Sequence, residues 1–188
     1  MRKIIAAEFL SLDGVVEAPD RWHFPYFNDE MGAEQSALMA ETDTMLLGRR
    51  TYEEFAAAWP SRTSADFGPL ADFMNDTPKV VVSTTLETTS WQNSTVLKDD
   101  LVGGLTKLKQ QPGKNIFIPG SATLVKSLLF ENLLDELHLY VDPIMVGRGR
   151  HLYESEREPD SVPLKLARSN TFTTGVLSLT YVPAGVGE

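Results

Sequence analysis

Leu46-Leu47-Gly48-Arg49-Arg50-Thr51-Tyr52-Glu53 is the stretch on which the fold turns. Residues 44–47 form a short apolar run of strand character, while 52–59 have helical spacing and stop at Pro60. Gly48-Arg49-Arg50-Thr51 is therefore read as a strand-to-helix turn. A helix start presents unpaired backbone N–H groups and the positive end of the helix dipole, and glycine lets an anion come close to the backbone. Arg49 and Arg50 can add charge-assisted contacts to such an anion. Taken alone, the tetrapeptide suits a tight turn with two solvated arginines equally well.

The same geometry recurs further along. A strand over 115–118 ends at Pro119-Gly120, and Ser121 is placed to cap a helix over 122–131, whose Leu124, Val125, Leu128 and Leu129 share one face. Two glycine-opened helices after strands suggest a diphosphate ligand. A third strand, 79–82, runs into Ser83-Thr84-Thr85 at its C-terminal end, the end at which open α/β sheets place ligands. The bland reading of that run is a turn whose hydroxyls satisfy one another. No Gly-x-Gly-x-x-Gly joins a strand to a helix and no Walker-type Gly-Lys-Ser/Thr is present, which argues against Rossmann and P-loop sites; Gly147-Arg148-Gly149-Arg150 lacks the third glycine.

Around these motifs, strands are expected over 2–10, 95–98 and 137–141, and helices over 28–41 (Asn28 or Asp29 as N-cap), 69–75 and 100–110. A polar segment, 155–163, precedes a hairpin of 164–172 and 176–182 joined by Thr173-Thr174-Gly175. The rhythm predicts a single α/β domain over 1–188, with helices on both faces of a mainly parallel sheet that ends in an antiparallel pair.

Composition narrows the function. No apolar run approaches the ~18 residues of a membrane span, and Glu8 interrupts the apolar start before a secretory h-region can form. The absence of cysteine excludes disulfides and thiolate zinc sites and suits a cytoplasmic setting. His23, His138 and His151 lie far apart without metal-ligand spacing, so they are assigned to surface or core and no metal is expected. A net charge of −9 disfavours nucleic acid and anionic membranes as partners, so an anionic ligand needs a local basic pocket.

The order and spacing of these elements resemble the dihydrofolate reductase-like superfamily over nearly the whole chain, most closely the branch related to the reductase domain of riboflavin biosynthesis. Four segments carry the resemblance: Ser11-Leu12-Asp13-Gly14, Gly48-Arg49-Arg50-Thr51, Val82-Ser83-Thr84 and Ile118-Pro119-Gly120-Ser121-Ala122. It implies a three-layer sandwich, NADPH as cofactor and a homodimer. It also implies cofactor contacts at Ala7, Gly14, Gly48, Arg49, Arg50, Thr51, Ser83, Thr84, Pro119, Gly120, Ser121, Ala122 and Thr123. Pro119 stands where the family carries the first glycine of a pair.

On the substrate side the 13–27 loop, with Trp22, Phe24 and Phe27, can offer flat surfaces to a small heterocycle, or can simply be loop core. Asp13 is the first candidate for handling a proton or orienting the substrate, and Asp29 the second, since a carboxylate in an apolar cleft can have its pKa raised toward neutrality. Asp13 also fits an ordinary Asp-Gly turn. The expected activity is reduction of a pyrimidine, pterin or similar ring, as in the ribosylaminouracil step of riboflavin biosynthesis or as in dihydrofolate reductase. The alternative is a non-catalytic nucleotide-binding sensor or resistance module of the same fold.

Overall fold

The computed structural model describes residues 1–153 and 161–184; most of the polar 155–163 segment lies outside them. Eight strands form one sheet: β1 (Ile4–Ser11), β2 (Thr42–Gly48), β3 (Lys79–Val82), β4 (Ser94–Leu97), β5 (Asn115–Pro119), β6 (Glu136–Asp142), β7 (Leu164–Thr171) and β8 (Leu177–Pro183). Their order is β4-β3-β2-β5-β1-β6-β8-β7. The first six run parallel, and β8 and β7 close the sheet antiparallel. In consequence β1, β2, β3, β5 and β6 all end at one edge, and that edge gathers the motifs singled out above.

Helices α1 (Asp29–Ala40), α2 (Arg49–Ala58), α3 (Ser64–Phe67), α4 (Pro69–Asp76), α5 (Leu101–Gln110) and α6 (Ala122–Phe130) complete three layers. Strand alternation sorts the core. Ile4, Ala6, Leu46, Ile116, Ile118, Leu137 and Leu139 face α5 and α6, meeting Leu105, Leu124, Val125 and Leu128. On the opposite face Met45, Leu47 and Val81 pack with Tyr52, Trp59, Met74 and Trp91 under α2 and α4. Beside them Ala7, Phe9 and Tyr140 pack with Met31 of α1 and with Phe172 and Val176 of the final hairpin.

Helix α2 begins at Arg49, three residues before its expected start, because Gly48 is itself the N-cap. Asn28, not Asp29, caps α1, its side chain accepting from the Met31 N–H at 3.1 Å. The hairpin turn matches its expected position: Gly175, at φ +86°, donates to the Phe172 carbonyl at 2.9 Å. Helix α3 was not anticipated, since its Ser-Ala-Asp-Phe run sits in a polar stretch with no periodicity to read.

Candidate functional site

The two glycine turns meet at the sheet edge. The Ser121 hydroxyl accepts from the Gly48 N–H at 3.0 Å and donates to Thr51 Oγ1 at 2.6 Å, cross-linking the turn after β2 to the turn after β5. A Cβ on Gly48 would sit 3.1 Å from Ser121 Oγ, so the close approach, not a special φ, is what requires glycine there. Ser121 was expected to cap α6, but its hydroxyl is committed across to Gly48 and Thr51, and its own backbone is left-handed at φ +81°. Neither α2 nor α6 has a side-chain cap, whereas α1 and α5 are capped by Asn28 and Asp100. The first N–H groups of α2 and α6 are thus left for an outside acceptor.

Gly120 adopts φ +90°, and a Cβ built there meets nothing nearer than Glu8 Oε2 at 3.9 Å, so the backbone of this turn is open to a ligand. Its N–H donates to the Ala7 carbonyl at 3.1 Å, fastening the turn to β1. Arg49 and Arg50 are exposed on the first turn of α2; Arg49 is held by Glu53 at 2.9 Å. Ala122 is buried and can offer only backbone, while Thr123 is exposed. The Ser83 hydroxyl accepts from the Leu86 N–H at 2.9 Å and the Thr85 N–H at 3.2 Å, so it closes its own turn; Thr84 is exposed beside it.

The structure corrects the expectation for both carboxylates. Asp13 is held by the Ser11 hydroxyl at 2.6 Å and by the N–H groups of Val146 and Gly147 at 3.0 and 2.7 Å, which keep its carboxyl at about 2 instead of raising it toward neutrality. It ties the 11–17 segment to the 144–152 segment, together with Val16 N–H to the Arg150 carbonyl and Leu152 N–H to the Gly14 carbonyl. Gly14 takes φ +90° in this turn. Asp29 is exposed in the first turn of α1, outside any apolar cleft. Trp22 is also corrected: it is buried and donates from Nε1 to the Glu17 carbonyl, so its face is loop core, while Phe24 and Phe27 are exposed.

Two groups of chemical weight escaped the sequence. Glu8 is buried on the α6 face of β1 with Oε1 unpartnered; burial pushes its carboxyl up to about 8, with the charge of Arg150 acting the other way. It is therefore largely neutral near pH 7 and does not oppose an anion at Gly120. His23 is buried too, its Nδ1 2.7 Å from Asp142 Oδ2 at the end of β6. It stacks on Phe9 with ring centroids 3.7 Å apart. Trp22, Phe24 and Phe27 stand around it at 6.5, 6.2 and 6.1 Å. His138 pairs with Glu136, and His151 bridges to Val15. Among the described residues no three His, Asp or Glu side chains gather as a metal site, and no helix is long and apolar enough to cross a membrane.

A mainly parallel sheet with an antiparallel ending, two glycine turns meeting at its C-terminal edge, is the architecture of the dihydrofolate reductase-like class. Residues 2–178 match the RibD C-terminal domain, and the chain belongs to that reductase family. Among curated relatives, YyaP of Bacillus subtilis, an uncharacterized protein, is 26% identical over 182 residues, covering 96% of this chain and 94% of that one. A structure from Shewanella sp. PV-4, assigned to riboflavin biosynthesis, superposes with a TM-score of 0.76 at 22% identity over 97% of this chain and 99% of the other. Dihydrofolate reductase from Enterococcus faecalis, complexed with NADP(H), gives 0.61 at 14% identity, covering 97% of each chain.

Proposed function

We propose that this protein is an NADPH-dependent reductase of a small nitrogen heterocycle. The observation that carries the reading is the pair of uncapped helix starts, α2 and α6, locked side by side through Ser121 with Gly120 open between them. Two adjacent sets of free N–H groups suit two linked phosphates. Gly48, Arg49, Arg50 and Thr51 would hold one side of the diphosphate, and Pro119, Gly120, Ser121, Ala122 and Thr123 the other. Thr84, with Ser83 shaping its turn, would meet the adenosine 2′-phosphate, and the backbone of Ala7 and Gly14 would contact the nicotinamide. When bound, the cofactor supplies a hydride. The chain's own part is to fix the acceptor ring against it, to exclude water with the 13–27 loop, and to deliver a proton.

Dihydrofolate reductase and the 5-amino-6-(5-phosphoribosylamino)uracil reductase of Thermotoga maritima, which superposes with a TM-score of 0.67, point toward pterins and aminopyrimidines as substrates. Phe24 and Phe27 offer the exposed aromatic faces for such a ring. A cytoplasmic homodimer belongs to the same reading. The test is a screen of aminouracils and pterins for substrate-dependent loss of the dihydronicotinamide absorbance. Arg50→Glu, on an exposed position, is expected to weaken NADPH binding at least about tenfold, the worth of a lost charge-assisted contact, without lowering Tm. Turnover of no ring and unaltered binding in Arg50→Glu would defeat the proposal.

A further inference from the structure

We infer that His23 is the proton donor of the reduction, with Asp142 as its positioning residue; the assignment rests on the reductase reading above. The side chains are 3% and 0% exposed, and Nδ1 lies 2.7 Å from Oδ2. Asp142 ends β6 directly opposite Ser11 at the end of β1, at the sheet edge that holds the cofactor cradle. The Phe9 ring beneath His23 lies on the same face of β1 as Ala7, whose carbonyl takes the Gly120 N–H. Ala7 and Phe9, two positions apart on one face of β1, thus touch the Gly120 turn and the imidazole respectively.

His23 Nε2 and Asp142 Oδ1 are both buried without a hydrogen-bond partner among the described residues. Buried polar atoms in folded proteins are nearly always paired, and those left over mark places where a ligand or water completes the set. A clamp between loop and strand needs only the Nδ1 contact. The second nitrogen, buried without a protein partner among the aromatic rings, is what a clamp does not require. Phe24 and Phe27 are exposed and flank the imidazole, so a flat substrate would have to enter past their rings to reach Nε2. Asp142 is the charged group in contact with the ring. Glu8 points to the opposite face of β1, and Asp20 and Arg21 of the same loop are exposed.

The chemistry balances as follows. A bound reduced nicotinamide would supply hydride, with its electron pair, to the carbon of a substrate C=N or C=O bond, and the π pair would move to nitrogen or oxygen. That atom takes the proton from Nε2–H, leaving neutral imidazole and oxidised cofactor. Asp142, hydrogen-bonded to Nδ1, fixes the orientation of the ring, and solvent restores the proton after product leaves.

His23→Asn keeps a donor toward Asp142 and removes Nε2. It is expected to lower kcat about a hundredfold or more, to leave NADPH affinity within about twofold, and to abolish the imidazole limb of the pH–rate profile. Asp142→Asn should lower kcat while leaving NADPH affinity within about twofold, and should move the 15N resonance of His23 Nδ1, the atom it touches. A second measurement needs no variant: 15N NMR of histidine-labelled wild-type protein with oxidised cofactor, before and after adding an aminopyrimidine, should show the His23 Nε2 resonance moving while Nδ1 stays hydrogen-bonded. If wild-type protein binds NADPH and reduces a ring, yet His23→Asn matches its rate and pH profile or Nε2 ignores the pyrimidine, this assignment fails alone. If wild-type protein neither binds NADPH nor reduces any ring, the assignment and the reductase reading fall together.

Discussion

Glu8 puts an ionisable carboxyl where the neighbouring strand positions carry Ile4, Ala6 and Leu10, and the consequence is measurable. Its carboxyl titrates at about 8 in the native state against 4.5 for an ordinary glutamate. Between those values the folded protein keeps a proton that the unfolded chain has released, so stability is full below about 4.5 and falls as pH rises toward 8. The loss is of order a few kcal/mol. Thermal melts across this window should therefore show Tm declining with pH in wild-type protein and a flatter profile in Glu8→Gln; equal slopes would remove Glu8 as the cause. Asp13 behaves in the opposite sense. Its lowered carboxyl contributes stability that is present above 3.8 and lost as pH falls toward about 2. Asp13→Ala should accelerate amide hydrogen exchange at Val146 and Gly147, the two N–H groups it accepts from, and unchanged protection there would contradict the tethering role. These residue roles were hard to read in advance. The Asp-Gly turn was visible in four residues, but the backbone N–H groups that Asp13 accepts from lie 133 and 134 positions away, and His23 and Asp142 are 119 apart.

Between elements, the decisive contact is the one Ser121 makes from the start of α6 to the start of α2. Gly48→Ala introduces a Cβ 3.1 Å from Ser121 Oγ, and either the hydroxyl or the turn must give way. In a Ser121→Ala background that oxygen is gone, and the next neighbour, Ser121 Cβ, is at an ordinary 3.5 Å. A double-mutant cycle is therefore expected to show Gly48→Ala costing about 1 kcal/mol more in otherwise wild-type protein than beside Ser121→Ala, with NADPH affinity following the same pattern. Strict additivity would mean that the two turns do not communicate. Helix and strand positions were largely legible, because apolar runs are punctuated here by Gly48, Pro60, Gly113, Gly120 and Gly175. Cap chemistry was less so: Ser121 is a common capping residue, and only the approach of β2 to β5 redirects its hydroxyl.

At the level of the whole molecule, parallel pairing of β3, β2, β5, β1 and β6 brings the turns that follow β1, β2, β3 and β5 to one edge, and the turn between the antiparallel β7 and β8 supplies Phe172 and Val176 to the core that Phe9 joins. The α/β class and the closing hairpin could be read locally, since alternation and turn residues declare themselves within ten positions. The strand order could not, because it depends on pairings such as Ile4 with Ile116 that no local pattern encodes. The measurement that tests the account most directly is titration of the purified protein with NADPH and with NADH, followed by quenching of tryptophan fluorescence. Saturable NADPH binding about ten- to a hundredfold tighter than NADH is the predicted result, reflecting charge-assisted contacts to the 2′-phosphate. Binding of neither nucleotide would contradict the cradle, and with it the function assigned to this edge of the sheet.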